Sequence, residues 1–313
     1  MVRLPPAEKL PLALRKNIRD SWENKKSESE QKISEILGTA WTIDINPNAI
    51  YPYGDSDYAK DSLGDLIHGY VSGAAYQLSD FARSFGADGI NDLNAAASAH
   101  VLTMDVDDST SPVSYCGAAI KDGKLVIIFN PKSLGTNDSD ALQSSNITKA
   151  LNEAPAAAEG GASGLSFSAK DGIRKGYDAK VGAVQGSIAE QLGKSKDDVK
   201  LVPNFENLYT TLQANSSKLS SNWEEQLGPF VLQYFEGVQS NLAYNKCKED
   251  EMIQEGVNEA VDKSTFEMRI VDKLKYASYC EVVVEDGKLF VQTTVDRWGV
   301  NIGDAANKII DQL

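Results

Sequence analysis

The sequence predicts an α+β protein of two homologous lobes, each with helices packed on a small, mainly antiparallel sheet that contains a β-hairpin. The first observation is a repeat: SYCGAAIKDGKL at 114–125 recurs as SYCEVVVEDGKL at 278–289. The second is a set of identities under one constant offset of 164 residues, which relates Leu63, Tyr70 and Gly73 to Leu227, Tyr234 and Gly237. We therefore expect an internal tandem duplication whose copies are related by a pseudo-twofold axis.

The length of the chain favours two domains of medium size, because 313 residues exceed the usual size of one compact core. The segment EAPAAAEGGASGLSFSAKDG at 153–172 is rich in alanine and glycine, a composition typical of a connector. The predicted boundaries are a first lobe at 1–155, a connector at 156–170 and a second lobe at 171–313.

Each lobe is predicted to begin with an amphipathic helix, because apolar residues recur every three or four positions. In the second lobe these residues are Ile173, Tyr177, Val181, Val184, Ile188 and Leu192. In the first lobe the series is longer and less regular, with Leu14, Ile18, Trp22, Ile33 and Leu37. A short strand follows and ends before Pro47 or Pro203, because a central strand does not tolerate proline.

A second helix is predicted at 61–84 and at 225–247. Gly73 and Gly237 lie in the middle of these helices, where glycine costs about 1 kcal/mol relative to alanine. We expect another backbone segment to approach each helix closely at its glycine, because such packing would compensate the cost. A further short helix and a strand with alternating apolar residues are expected before the hairpin.

The repeated block predicts a β-hairpin in each lobe. The Asp-Gly pairs at 122–123 and 286–287 are typical of a two-residue type I′ turn. In the resulting register the expected partners are Ile120 and Leu125, Ala118 and Ile127, Cys116 and Phe129 and, in the second lobe, Val284 and Leu289, Val282 and Val291, Cys280 and Thr293. Because side chains alternate along a strand, both cysteines are predicted to lie on the apolar face.

The three cysteines are the candidate residues for binding a ligand or carrying a lipid. Cys116 and Cys280 occupy equivalent positions, whereas Cys247 has Arg83 at its duplicated position. Buried thiols usually behave as small, inert hydrophobic groups, which is the favoured interpretation over a catalytic or acylated thiol. The absence of a C-x-x-C spacing argues against a zinc site or a disulfide framework.

Charge and hydropathy exclude several classes of protein. A net charge of −14 repels polyanions on average, so no nucleic-acid partner is expected. No run of the sequence approaches the roughly 18 apolar residues of a membrane span, and prolines and charges interrupt the first residues where a signal peptide would be apolar. The expected location is cytoplasmic, with export by a non-classical route left open.

The sequence lacks the common catalytic and cofactor motifs: G-x-S-x-G, H-E-x-x-H, the P-loop and the dinucleotide fingerprint. No cofactor is therefore expected. The only histidines are His68 and His100, and neither is repeated between the lobes. His68 falls within the second helix, where a histidine with satisfied hydrogen bonds at the core boundary is favoured over a catalytic base.

One acidic cluster, consisting of Asp105, Asp107 and Asp108, is the candidate metal or acid/base site. Asp105 and Asp107 alternate on one face of a predicted strand and Asp108 follows at its end. Paired carboxylates can bind a hard cation or share a proton. The alternative, an acidic strand edge that leads into a Ser/Thr-Pro turn, is favoured.

The segment YCEVVVEDGKLFVQTTVDRWGVNI at 279–302 resembles the carboxy-terminal hairpin of Cyt-type cytolytic toxins. In those proteins helix layers wrap a β-sheet, and a Tyr-Cys pair precedes two apolar strands that end in a VNI-like segment. The resemblance covers about two dozen residues in each copy and requires a gap in the turn. It implies a soluble protein that rearranges at membranes, and it assigns no functional residue.

Three classes of function follow from these observations. The leading hypothesis is a non-enzymatic binding or effector protein that holds an apolar or amphipathic small molecule or a fatty acyl group, or engages a membrane surface, with a virulence or toxin role included. The alternative is a carboxylate-based enzyme or divalent-metal-binding protein that uses the acidic cluster. A structural interaction protein, in which the repeated residues are simply core, is the third.

Overall fold

A computed structural model describes residues 3–154, 164–307 and 309–312. The chain divides into two compact units, Met1–Gly161 and Ala162–Leu313. Most of the predicted connector at 156–170 falls outside the described residues, and its last residues belong to a helix that begins at Phe167.

Unit 1 contains six helices and four strands among its described residues. The helices are α1 (Leu12–Ile18), α2 (Asn24–Leu37), α3 (Pro47–Ile50), α4 (Asp57–Asp61), α5 (Leu63–Ala96) and α6 (Ser144–Glu153). The strands are β1 (Thr42–Asp44), β2 (Val101–Val106), β3 (Cys116–Lys121) and β4 (Lys124–Phe129). Helix α5 is broken at Gly86, whose φ of 62° and ψ of −157° are not helical. The break agrees with the prediction of a second helix followed by a short one.

Unit 2 contains five helices and four strands in the part of the chain that the structure describes. The helices are α7 (Phe167–Ile173), α8 (Ala179–Gln191), α9 (Phe205–Gln213), α10 (Leu227–Tyr244) and α11 (Glu251–Ala260). The strands are β5 (Lys200–Val202), β6 (Thr265–Ile270), β7 (Cys280–Glu285) and β8 (Lys288–Thr293). The α+β class predicted from the sequence is thus present in both units.

The two sheets have the same order, β1-β2-β4-β3 and β5-β6-β8-β7, and both are mixed. In unit 1, β1 and β4 are parallel to β2, and only the hairpin pair of β3 and β4 is antiparallel. Unit 2 repeats this pattern. The prediction of a mainly antiparallel sheet is therefore wrong. The physical reason is that the loop at 107–115 leads to β3, which is separated from β2 by the width of one strand. The next strand, β4, returns between them and therefore runs parallel to β2.

Both hairpins have the predicted register, with Cys116 opposite Phe129 and Cys280 opposite Thr293. The turn residues Asp122 and Gly123 have φ values of 51° and 68°. These positive values are those of a type I′ turn, which confirms the local prediction.

The opening helix of each unit contains one π-helical segment, at Arg19–Glu23 and at Arg174–Asp178. Each segment lies between two α-helices and buries one aromatic ring, Trp22 in unit 1 and Tyr177 in unit 2. Because a π turn accommodates an extra residue, the apolar face shifts around the helix at that point.

The mid-helix glycines lie at close backbone contacts, as the sequence predicts. A Cβ atom built on Gly73 would lie 2.5 Å from the Cα atom of Ser139. One built on Gly237 would lie 3.3 Å from the carbonyl oxygen of Ile302. The segment that follows the hairpin therefore packs directly on the backbone of α5 in unit 1 and of α10 in unit 2.

Candidate functional site

A cavity of about 270 Å³ opens in unit 2 beside the first residues of β7. Residues 276–282 form one side of this cavity, and Asp304, Ala305 and Asn307 form the other. The cavity therefore lies between the edge of the sheet and the turns that follow the hairpin. We refer to it as the β7 cavity.

Cys280 contributes an unreactive wall to the β7 cavity. Its side chain is buried, and the Sγ atom donates a hydrogen bond to the carbonyl oxygen of Asn301 at 3.4 Å. Burial, together with the negative charges of Asp304 and Glu281, raises the pKa of the Cys280 thiol to about 12. The thiol is protonated at neutral pH, and because a thiolate is the reactive form of cysteine, this residue acts as an apolar surface.

Glu281 fixes the loop that forms the rim of the cavity. Its Oε1 atom accepts hydrogen bonds from the backbone N–H of Lys275 at 2.8 Å and from Nε2 of Gln292 at 2.6 Å. Its Oε2 atom accepts from the backbone N–H groups of Tyr276 at 2.7 Å and Ala277 at 3.0 Å. Burial alone would raise the pKa of Glu281, but these hydrogen bonds outweigh it and hold the pKa below its usual value. The carboxylate is therefore a buried, ionised anchor.

The entrance of the cavity combines aromatic and acidic groups. The side chain of Tyr276 is 59% exposed, and the guanidinium of Arg297 lies 5.4 Å from the centre of the Tyr279 ring. Asp304 is exposed and accepts a hydrogen bond from Nδ2 of Asn307 at 2.9 Å. With Cys280 inside, the site has an apolar interior and a polar, negatively charged edge.

Unit 1 covers the equivalent region with one of its own helices. Under the offset of 164, Tyr115 and Cys116 correspond to Tyr279 and Cys280. Helix α6 packs on β3 in this region and buries apolar side chains, namely Ile147, Ala150 and Leu151. In unit 2, the 3₁₀ turn Ile310–Gln312 contacts β7.

The other two cysteines do not line the β7 cavity. Cys116 is half-buried and its Sγ atom donates to the carbonyl oxygen of Asn137 at 3.0 Å. Cys247 is buried after helix α10. Burial raises the pKa of both thiols to about 11. All three cysteines are free. Of the three candidate residues, Cys280 lines the β7 cavity, and Cys116 and Cys247 lie elsewhere.

Arg3 pairs with two carboxylates of the acidic cluster, and backbone N–H groups hold the third. Arg3 lies 2.6 Å from an oxygen of Asp105 and 3.5 Å from one of Asp108. Asp107 is buried and accepts hydrogen bonds from the backbone N–H groups of Ser109 and Val113. Across residues 3–154, 164–307 and 309–312, no three His, Cys, Asp or Glu side chains are grouped so that they could hold a metal ion. The metal site stays a prediction without geometric support.

Sequence reasoning missed the role of Glu281. The signal was present, because Glu281 lies on the face of β7 opposite to Cys280 and Val282 and the hairpin register pairs it with Gln292. The hairpin register does not show that the loop at 275–277 folds back onto the carboxylate of Glu281. A buried acid opposite a buried amide is nevertheless the pattern that predicts a polar anchor.

Comparison of the chain with protein families, curated proteins and solved structures found no match. Within the described residues, no helix is both long and apolar enough to cross a membrane.

Proposed function

We propose that the protein is a non-enzymatic binding protein whose unit 2 holds a small amphipathic molecule in the β7 cavity. The observation that carries the proposal is a cavity of about 270 Å³ with Cys280, Val282 and Ala305 among its walls and two tyrosines at its edge. Ligand pockets usually measure roughly 300–1,000 Å³ and are lined mainly by apolar and aromatic side chains. The size favours a small ligand, such as a substituted aromatic ring or a short acyl chain.

The chemistry of the walls supports binding rather than catalysis. The Cys280 thiol is protonated at neutral pH, and all the hydrogen bonds described for the Glu281 carboxylate hold the loop and Gln292. A nucleophile needs an accessible, activated group, and neither residue provides one. The site therefore offers a ligand an apolar surface and hydrogen-bonding groups.

The charge at the entrance selects among amphipathic ligands. Asp304 repels an anionic head group and accepts hydrogen bonds, and the exposed ring of Tyr276 attracts cations through its face. A ligand with a cationic or hydrogen-bond-donating head group fits this edge better than a fatty acid carboxylate. We therefore expect the cavity to prefer an alkyl amine or an alcohol over the acid of equal chain length.

The experiment compares binding to wild type and to two matched variants by native mass spectrometry and isothermal titration calorimetry. The probes are decylamine, decanol and decanoate below their micellar concentrations. Ser278→Trp places a large side chain at the exposed rim of the cavity, and Ser114→Trp makes the same change at the aligned exposed position of unit 1. Wild type and Ser114→Trp should bind the amine and the alcohol, and Ser278→Trp should not. Equal binding by all three proteins, or binding by none, would overturn the proposal.

Membrane engagement extends this proposal and rests on the resemblance of 279–302 to the toxin hairpin. Insertion of this hairpin would require β7 and β8 to leave a sheet in which β8 pairs with β6 over six residues. Leakage of a dye from phosphatidylcholine vesicles tests the idea directly. Dye release that depends on the protein would support membrane engagement. Vesicles that stay intact would restrict the proposed function to binding of a soluble ligand.

We also propose that the two units arose by tandem duplication. The support is the shared strand order, the π-helical segment at the same place and a repeated contact in which a tyrosine hydroxyl accepts from a glycine N–H. That contact joins Tyr70 to Gly135 at 3.1 Å and Tyr234 to Gly299 at 3.3 Å. The pseudo-twofold relation between the copies stays a prediction.

A further inference from the structure

One loop forms a wall of the β7 cavity, and a single carboxylate holds the backbone of this loop. Residues 272–279 lie between β6 and β7 without forming a helix or strand, and residues 276–279 line the cavity. All the hydrogen bonds described for the backbone of residues 272–278 are those that Lys275, Tyr276 and Ala277 donate to Glu281. We refer to residues 272–279 as the rim loop.

The corresponding loop of unit 1 has a second anchor. There the carboxylate of Asp107 accepts a hydrogen bond from the N–H group of Val113, and Nδ2 of Asn130 donates to the carbonyl oxygen of Val113 at 2.7 Å. Under the offset of 164, Val113 corresponds to Ala277 and Asn130 corresponds to Thr294. The hydroxyl of Thr294 makes none of the hydrogen bonds described for the rim loop. The carboxylate is therefore more important for the loop of unit 2 than for that of unit 1.

The charged groups around Glu281 come from the rim loop, from β6 and from β7 itself. Nζ of Lys275 lies 3.1 Å from Glu285, which also pairs with Arg269 at 2.9 Å. Asp304 lines the other side of the cavity. Hydrogen bonds from Arg269 and Lys275 lower the pKa of Glu285 to about 2. This surface pair therefore persists in mild acid, and the backbone of the rim loop depends on Glu281.

In unit 2, a response to acid has to come from carboxylates. The only histidines of the protein, His68 and His100, belong to unit 1, and neither lines the β7 cavity. Nδ1 of His68 is buried and makes no hydrogen bond to any of the residues that the structure describes. The prediction of a histidine with satisfied hydrogen bonds does not hold for this atom.

We propose that protonation of Glu281 releases the rim loop and, with it, the ligand of the β7 cavity. The ionised carboxylate accepts two hydrogen bonds at each oxygen. Protonation converts one oxygen into an O–H donor, so backbone N–H groups of the loop lose their acceptor. The loop then detaches and the cavity loses a wall. This inference rests on the function proposed for unit 2, because it concerns how the ligand bound there is released.

The direction of the response follows from the environment of Glu281. Burial raises its pKa, but the hydrogen bonds outweigh burial and hold the pKa below the usual value of about 4.3. The rim loop is therefore held at neutral pH and is released as the pH falls through the folded pKa. If about one tenth of the molecules keep the loop in place, the apparent dissociation constant of the ligand rises about tenfold.

Amide NMR measures release of the rim loop without any ligand. The N–H signals of Lys275, Tyr276 and Ala277 should move upfield together, with one midpoint, as the pH falls below about 4.3. Their common midpoint reports loss of the shared carboxylate acceptor, and the far-UV circular dichroism spectrum should stay native over the same range. Three unrelated midpoints, or unfolding at the same pH, would overturn the proposal.

Isothermal titration calorimetry with decanol measures release of the ligand, at pH 7 and about one pH unit below the usual glutamate pKa. Decanol is uncharged, so no attraction to the charge of Asp304 is lost in acid. Wild type should bind about tenfold more weakly in acid. Thr294→Asn copies the second anchor of unit 1 and should keep its affinity. Glu190→Gln, which changes an exposed acid of unit 2, is the control and should behave as wild type does.

The outcomes separate this inference from the function on which it rests. Failure of wild type to bind decanol at pH 7 would overturn the function proposed for unit 2, and the three amide signals would still decide whether Glu281 holds the rim loop. Binding at pH 7 that is unchanged in acid would overturn acid release alone. Equal loss of affinity by wild type and Thr294→Asn would also count against the rim loop as the cause.

Discussion

Replacing Glu281 with glutamine is the most direct test of how the rim of the β7 cavity is held. The carboxylate accepts four hydrogen bonds, two at each oxygen, from three backbone N–H groups and Gln292. An amide of the same shape keeps one oxygen and replaces the other with an NH₂ group, which cannot accept. Glu281→Gln therefore leaves at least two of the four donors without an acceptor.

The cost follows from the burial of these groups. A donor left unsatisfied away from water costs about 1–3 kcal/mol, so two of them predict a loss of about 2–6 kcal/mol in the free energy of unfolding of unit 2. The side chain of Glu190 provides the control in the same unit, because it forms an exposed ion pair with Lys248 at 2.6 Å. Glu190→Gln should cost less than about 1 kcal/mol, the usual value of a surface pair.

Urea unfolding followed by tryptophan fluorescence measures both changes. The pKa of Glu281 lies below its usual value in the folded state, so its contribution to stability is present above the unfolded pKa of about 4.3 and is lost as the pH falls through the folded pKa. The difference between wild type and Glu281→Gln should therefore shrink in acid. A Glu281→Gln variant within about 0.5 kcal/mol of wild type at pH 7, the usual effect of a neutral surface change, would refute the role assigned to this residue.

Four further predictions concern packing, thiol reactivity, metal binding and the independence of the lobes. Gly73→Ala should destabilise unit 1 by about 1–3 kcal/mol through overpacking against the segment after the hairpin, whereas Gly186→Ala in α8, whose nearest neighbour is 3.9 Å away, should be neutral or stabilising in the same denaturation assay. Iodoacetamide at pH 8 should leave Cys280 unmodified in the intact mass of the native protein and modify it after denaturation; rapid modification of the native form would contradict its burial. Calcium and magnesium should leave the melting temperature unchanged because Arg3 already pairs with the acidic cluster, and a rise would favour the metal-binding alternative. Residues 1–155 expressed alone should not form a stable, cooperatively melting monomer, as a circular dichroism melt would show.

Much of the local structure was predictable because it depends on residues that are close in sequence. The Asp-Gly pair at 122–123 sets the turn, and the turn sets the register that places Cys116 opposite Phe129. The spacing of apolar residues predicted the opening helices in the same way. The π-helical segments were not predicted, since an extra residue in one turn leaves only a small irregularity in that spacing.

The candidate sites were predictable only in part. The repeat drew attention to Cys280, which does line a cavity. The role of Glu281 and the unpaired nitrogen of His68 were missed, because each depends on a segment that is distant in sequence or on a neighbouring helix. His68 was located on the correct helix, but its hydrogen bonding could not be inferred from that helix alone.

By itself, the sequence determined the α+β class, the period that relates the two units, the hairpins and the positions of the main helices. These properties follow from turn chemistry and from hydrophobic periodicity, which act over a few residues. Only the tertiary structure decided that β4 pairs in parallel with β2 and that α6 covers β3 in unit 1. Strand order and surface coverage depend on contacts between residues far apart in the chain. The local sequence pattern is the same whether the strand beside β2 runs parallel or antiparallel to it.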